Sequence, residues 1–175
     1  RRQRQMCIRD RSNRRKMGMS KQFMNTQDAP SAKQAEFFCT INGRRYSMLN
    51  AKKFEAKANV KNADVTRLGA LIDGKKAVGL TIKFSMTVYK CSEMFDKLIE
   101  EFKNTGLLPT FECQVTSSDS ATCMGRSTKV YKQCVIEGDV LLSMFDADGE
   151  FVEQTIEGYA MDFDSPERYT DPEYM

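Results

Sequence analysis

Residues 80–102 read LTIKFSMTVYKCSEMFDKLIEEF, and the change of period inside this stretch decides the fold. Leu80, Ile82, Phe84, Met86 and Val88 alternate with Thr81, Lys83, Ser85, Thr87 and Tyr89. That is the two-residue repeat of a strand with one dry and one wet face. After Lys90 the repeat lengthens, and Met94, Phe95, Leu98, Ile99 and Phe102 fall on one face at helical spacing. A helix is expected over about 92–104, its five apolar residues packed on a sheet. Ser92 is the expected N-cap, Glu93 and Asp96 suit the positive end of the dipole, and Lys103 suits the negative end. Gly106 is placed to end the helix and Pro109 prevents its resumption.

Outward from this stretch the two-residue repeat dominates. Phe37, Cys39 and Ile41 alternate with polar neighbours, Asn42-Gly43 supplies a hairpin turn, and Arg45, Tyr46 and Met48 lie on the return strand. Phe54, Ala56, Ala58 and Val60 alternate against Lys53, Glu55, Lys57 and Asn59. Downstream, Phe111, Cys113 and Val115 restore the pattern, and 117–127 is a polar loop. Further strands are expected around Thr128–Ile136 and Val140–Phe145, then one long last strand over about Phe151–Phe163. Residues 61–79 (KNADVTRLGALIDGKKAVG) hold Gly69, Gly74 and Gly79 and read as a long hairpin-like loop. Its apolar residues Val65, Leu68, Leu71 and Ile72 imply something to touch. The fold class is mainly β: an antiparallel sandwich or barrel of seven or eight strands with one packed helix.

The length of 175 residues suggests one domain, able to bury a core without disulfide or metal staples. No apolar run approaches the ~18 residues of a membrane span, and the polar, arginine-rich N-terminus lacks the apolar stretch of a secretory signal. Residues 1–16 (RRQRQMCIRDRSNRRK) stand apart, with eight basic residues against Asp10. The string RRQRQMCIRDR resembles the conceptual translation of a sequencing-adapter oligonucleotide, so Met17 or Met19 is the expected start. The whole chain carries a net charge of +3, but residues 17–175 hold 19 basic and 23 acidic side chains, a net charge of −4. The basic balance is therefore no argument for nucleic-acid binding. Residues 17–35, with Pro30, read as an extended arm, and residues 36–175 as the β-barrel domain.

Catalytic chemistry is not expected. The chain has no histidine, which excludes Ser-His-Asp and Cys-His nucleophiles and His-ligated zinc. Cys39, Cys91, Cys113, Cys123 and Cys134 form no CxxC pair and read as packing thiols, in keeping with a reducing cytoplasm. Asp146-Ala147-Asp148-Gly149 is a turn rather than a calcium loop, because no glutamate closes it. Gly74-Lys75-Lys76 lacks the spacing of a P-loop. Asp162, Asp164 and Glu167 read as solvated acids. No metal and no cofactor are expected. A ligand-carrying barrel and a single-strand nucleic-acid-binding barrel remain as alternative classes.

Two segments carry a resemblance. Residues 59–90 (NVKNADVTRLGALIDGKKAVGLTIKFSMTVYK) are similar to the long loop and following strand of tail tube, or tail core, proteins from contractile Firmicutes phages, defective prophage elements and phage-tail-like bacteriocins. Residues 148–169 (DGEFVEQTIEGYAMDFDSPERY) resemble that family's last strand and acidic C-terminus. The order of elements between them also agrees, so the match covers about 36–169. The fold is shared with the type VI secretion tube, so it does not by itself choose the machine. The resemblance implies a structural subunit whose sixfold rings stack into a tube, with inner strands joined into one barrel. It implies tail sheath, baseplate or tail initiator, and tape measure protein as partners. It also implies transient passage of DNA, or membrane depolarisation in a bacteriocin, and a place in a virion tail or bacteriocin particle assembled in the host cytoplasm. Leu68, Gly69, Leu71, Ile72, Gly74, Lys75 and Gly79 are the candidate contacts to the next ring. Either Thr81, Lys83, Ser85 and Thr87, or Glu153, Thr155 and Glu157, are the candidate lumen residues.

Overall fold

Asn42 and Gly43, at φ of 49° and 77°, make the tight turn that folds β1 (Ala35–Ile41) onto β2 (Arg44–Ser47). The computed structural model describes residues 26, 29–69, 71–122 and 124–171; the 1–16 segment, most of the 17–35 arm and Cys123 lie outside them. Among the described residues there follow β3 (Ala51–Val65), β4 (Gly74–Tyr89), α1 (Met94–Thr105), β5 (Phe111–Ser118), β6 (Arg126–Glu137), β7 (Glu153–Ala160) and β8 (Asp162–Glu167). All strand pairs are antiparallel, in the order β2-β1-β5-β6-β7-β4-β3, with β8 beside β6.

β6 divides this path into two halves. Its first part pairs β5 on one side and β8 on the other, and Val135–Glu137 pair β7. The hand-over falls at a register shift against β5, where Gln133 adopts φ of 50°. An extra residue there bends the strand and lets it serve two half-sheets. The core fills the space between them. Phe37, Cys39, Ile41, Phe111, Cys113 and Tyr131 come from one half, and Ile82, Phe84, Met86, Val88 and Ile156 from the other. Phe84 meets Phe111 edge-on at 5.9 Å between ring centres. Cys39 and Cys113 are opposite each other in the β1–β5 register, and both are buried with Cys134 as free thiols.

α1 closes the core with Met94, Phe95 and Leu98, and Phe95 lies 6.2 Å edge-on from Phe111. Gly106 ends it in the left-handed conformation, donating its N–H to the Phe102 carbonyl. Two expectations need correction here. Glu93 occupies the N-cap position, not Ser92, and makes no side-chain cap bond. Phe102 is 47% exposed and Ile99 only half-buried, so the core stripe is three residues wide rather than five. The last turn of the helix is left uncovered.

Three strand assignments also change. The irregular part of 61–79 shrinks to 66–73, because β3 and β4 continue as a paired hairpin out to Val65 and Gly74. Of the three glycines in that segment, Gly69 alone has a positive φ, so Gly74 and Gly79 signalled a loop where the ladder in fact runs on. The strand expected at Val140–Phe145 is absent: the Leu141 carbonyl accepts from the Lys90 ammonium and the Gln154 amide, side chains that take the place of a ladder. The single last strand is two, interrupted at Met161. β7 is shared by β4 and β6, whereas β8 pairs β6 alone among the described residues.

Candidate assembly surfaces

The two alternative sets of lumen residues turn out to be one surface. In the β4–β7 register, Lys83 is opposite Tyr159, Ser85 opposite Glu157, Thr87 opposite Thr155 and Tyr89 opposite Glu153. Facing pairs project to the same side of a sheet, so both sets share the wet face of the half-sheet β6-β7-β4-β3. β3 adds Lys53, Glu55, Lys57 and Asn59, opposite Thr87, Ser85, Lys83 and Thr81, and β6 adds Glu137, opposite Glu157. The charges are matched locally. Lys83 pairs Glu157 at 2.6 Å, Lys52 pairs Glu153 at 2.7 Å, and Glu55 takes both Lys53 and Lys57. Hydrogen bonds from Lys57 and Lys53 hold the Glu55 carboxyl down at about 2. The bond to Glu157 raises Lys83, and the bond to Glu153 raises Lys52. Thr87 and Thr155 share a hydroxyl bond of 3.2 Å. Nothing here is arranged as an acid–base pair around a cleft, and the described residues include no cluster able to hold a metal.

The second surface is the end of the β3–β4 hairpin. β7 stops opposite Ile82 at Ala160, and β8 leaves with β6, so beyond this point, among the described residues, β3 and β4 pair only each other. The two strands project as a ribbon. Its dry side continues the core face outward: Ala58 faces Ile82 and Val60 faces Leu80, but Val60 and Leu80 are exposed because no layer covers them. At the turn, Leu68, Leu71 and Ile72 are fully or mostly exposed. Gly74 and Gly79 sit in the ribbon's ladder, Lys75 pairs Asp64 across it at 3.1 Å, and Gly69 turns the chain at the tip. The candidate contact residues are thus gathered on one protrusion. The outer edge of β3, 15 residues long, has no strand partner among the described residues.

A family model described as "Phage tail tube protein" matches residues 22–167. The chain belongs to the phage tail tube protein family. It is 26% identical over 149 residues to the phage-like element PBSX protein XkdM of Bacillus subtilis (strain 168), covering 85% of this chain and 97% of that protein. Its fold is similar to that of a chain in the cryo-EM structure of the anti-feeding prophage cap, which terminates the tube, with a TM-score of 0.59 at 12% identity over 85% of this chain and 98% of that one. It is also similar to a chain of the extended sheath–tube complex of an extracellular contractile injection system, with a TM-score of 0.55 at 12% identity over 74% and 86%. A phage tail tube protein is a structural component and not an enzyme, so its working parts are surfaces.

The sequence reading of this tail tube protein missed one such surface. At the end of the half-sheet opposite the ribbon, residues 138–152 form an irregular segment on which Leu142, Met144, Phe145 and Phe151 are exposed. Leu49 is exposed at the same end, two residues before Ala51, which pairs Val88. Alternation in VLLSMF suggested a strand and hid the segment's character. The sequence signal that could have exposed it is its acidity, with Asp139, Asp146, Asp148 and Glu150 and no basic residue.

Proposed function

We propose that this tail tube protein forms sixfold rings that stack into the inner tube of a contractile tail, in a phage or a phage-tail-like bacteriocin. The observation that carries the reading is the half-sheet β6-β7-β4-β3. It has one packed face, one wet face with matched charges, one long unpaired edge at β3 and one ribbon reaching past its end. An open edge of 15 residues invites pairing with another strand, and a ring that joins each β3 to a neighbouring copy closes every such edge. The wet face then lines the lumen, with Thr81, Lys83, Ser85 and Thr87 beside Glu153, Thr155 and Glu157. Lysines bind DNA by neutralising phosphates and releasing counterions. On this face Lys52, Lys53, Lys57 and Lys83 already have carboxylate partners, which suits a conduit for DNA that must not hold it.

The ribbon reaches the next ring through Leu68, Gly69, Leu71, Ile72, Gly74, Lys75 and Gly79. The outer faces meet the tail sheath, one end of the tube meets the baseplate or tail initiator, and the tape measure protein occupies the lumen during assembly. The protein acts in the tail of the particle, after assembly in the host cytoplasm. A ligand-carrying barrel has no interior to work with, because Phe84, Phe111, Met86 and Ile156 fill it. Negative-stain electron microscopy of the chain begun at Met17 tests the proposal: sixfold rings or tubes are expected. Monomers at every concentration would overturn it, and assembly from Met17 would also show residues 1–16 to be dispensable.

A further inference from the structure

Residues 138–152 lie at the end of the half-sheet opposite the ribbon, and their chemistry is the complement of the ribbon's. β4 runs from Gly74, beside the ribbon tip, to Tyr89, opposite Glu153 at the start of β7. A molecule that stacks head to tail along this direction brings the tip of one copy to the 138–152 end of the next. The ribbon is basic: Lys61, Arg67, Lys75 and Lys76 stand against Asp64 and Asp73. The opposite segment carries Asp139, Asp146, Asp148 and Glu150 with no compensating cation. Each side also exposes apolar groups that its own monomer leaves uncovered: Leu68, Leu71 and Ile72 at the tip, and Leu142, Phe145 and Phe151 at the far end.

The segment is held in place although it has no regular structure. Lys90 grips it at one point, with its ammonium donating to the Leu141 carbonyl while bound to both oxygens of Asp96, at 3.0 and 2.9 Å. The Lys90 backbone N–H donates to the Val152 carbonyl at 3.0 Å, and Phe151 meets Tyr89 edge-on at 6.0 Å. Between the segment and β7 runs an open groove of about 530 Å³, bounded by Leu142, Met144, Glu153 and Thr155. An idle loop needs no such anchoring, and a fixed backbone with exposed apolar side chains is a pre-organised surface.

We infer that residues 138–152 are the seat for the β3–β4 ribbon tip of a second copy in the adjacent ring, with acidic side chains facing the ribbon's cations around an apolar centre. This rests on the ribbon contact proposed above, and it names the surface that receives it. Complementary charge sets the register of such a contact and disfavours tip-to-tip pairing.

A charge exchange tests the two readings separately. Arg67→Glu with Lys76→Glu reverses the ribbon, and Asp148→Lys with Glu150→Lys reverses two of the seat's four acids, the intended partners of those two cations; all four side chains are exposed, so thermal unfolding of the monomer should stay where it is. Each pair alone should raise the concentration needed for stacking at least about tenfold, as ~1.4 kcal/mol does. All four changes in one chain should bring it back toward the parent value. If the ribbon pair stacks like the parent, the ribbon reading itself fails. If the ribbon pair blocks stacking but the seat pair does not, or the fourfold variant is no better than either pair, the ribbon stands and its seat lies elsewhere. A parent chain that never associates overturns both.

Discussion

Gly158 sits where β6, β7 and Phe84 converge, and its lack of a side chain is what allows them to. A Cβ there would lie 2.1 Å from the Val135 carbonyl oxygen and 2.6 Å from Phe84 Cζ. Phe84 could move, but the β6 backbone cannot without giving up its pairing with β7. Gly158→Ala should therefore destabilise the monomer by about 3 kcal/mol, the upper end of the usual overpacking cost, read from the urea midpoint. Asp119 works by hydrogen bonding instead. Its carboxylate accepts from the Ala121 N–H at 2.9 Å and the Ser31 N–H at 2.8 Å, tying residue 31 to the β5–β6 loop. Those two bonds, Ala121 first, hold its pKa below the ordinary 3.8. A depressed carboxylate stabilises the fold above its unfolded value and stops doing so as pH falls through the lower folded one. Asp119→Asn should thus be less stable than the parent at neutral pH. The gap should close below pH 3.8, which urea midpoints measured down the acid range would show.

At the scale of elements, α1 and the β-strands differ in how much of their burial a sequence pattern can give. A helix of 12 residues offers one stripe, but the length of the surface it lies on sets how much of that stripe is covered. Phe95 and Phe102 occupy the same face and have opposite fates, one 2% and the other 47% exposed. Phe95→Ala should cost roughly 3–5 kcal/mol, the usual range for a buried phenylalanine. Phe102→Ala should cost about half as much or less, since nearly half of its area stays in water on folding. Equal losses in a denaturant titration would mean that the face is covered evenly. Strand alternation transferred more directly: Ile82, Phe84, Met86 and Val88 are all buried, as their period requires, while Leu80 is exposed only because β7 has ended.

For the whole molecule, the expectation is that stacking and folding respond to different residues. Leu68→Asp with Ile72→Asp changes two side chains that touch nothing in the monomer's core. Thermal unfolding of the monomer should be unchanged while sedimentation shows single rings or monomers, because each unpaired carboxylate buried at a ring contact costs several kcal/mol. Tubes from this variant would move the ring contact away from the ribbon. The lumen assignment has its own test. Glu153→Lys with Glu157→Lys removes the partners of Lys52 and Lys83 and adds two cations to the same face. Assembled tubes should then retain DNA at low ionic strength and release it steeply as salt rises. No retention at low salt would place the wet face outside the channel.

The sequence by itself determined the β class, the helix after Lys90, the Asn42-Gly43 hairpin, the helix stop at Gly106 and the inward residues Ile82, Phe84, Met86 and Val88 of the longest strand. Each of these follows from spacing or backbone preference within a few residues. The family was legible too, through the order of elements across residues 59–90 and 148–169. What only the tertiary structure decided is where neighbours stop. That β7 ends opposite Ile82 turns a supposed loop into a projecting ribbon, and the β4–β7 register puts two rival lumen sets on one face. That Lys90 and Gln154 hold the Leu141 carbonyl turns an apparent strand into an exposed acidic segment. A periodic pattern records which side of a strand is dry. It carries no record of how far the partner strand extends, because the ladder bonds that set that length join backbones distant in sequence.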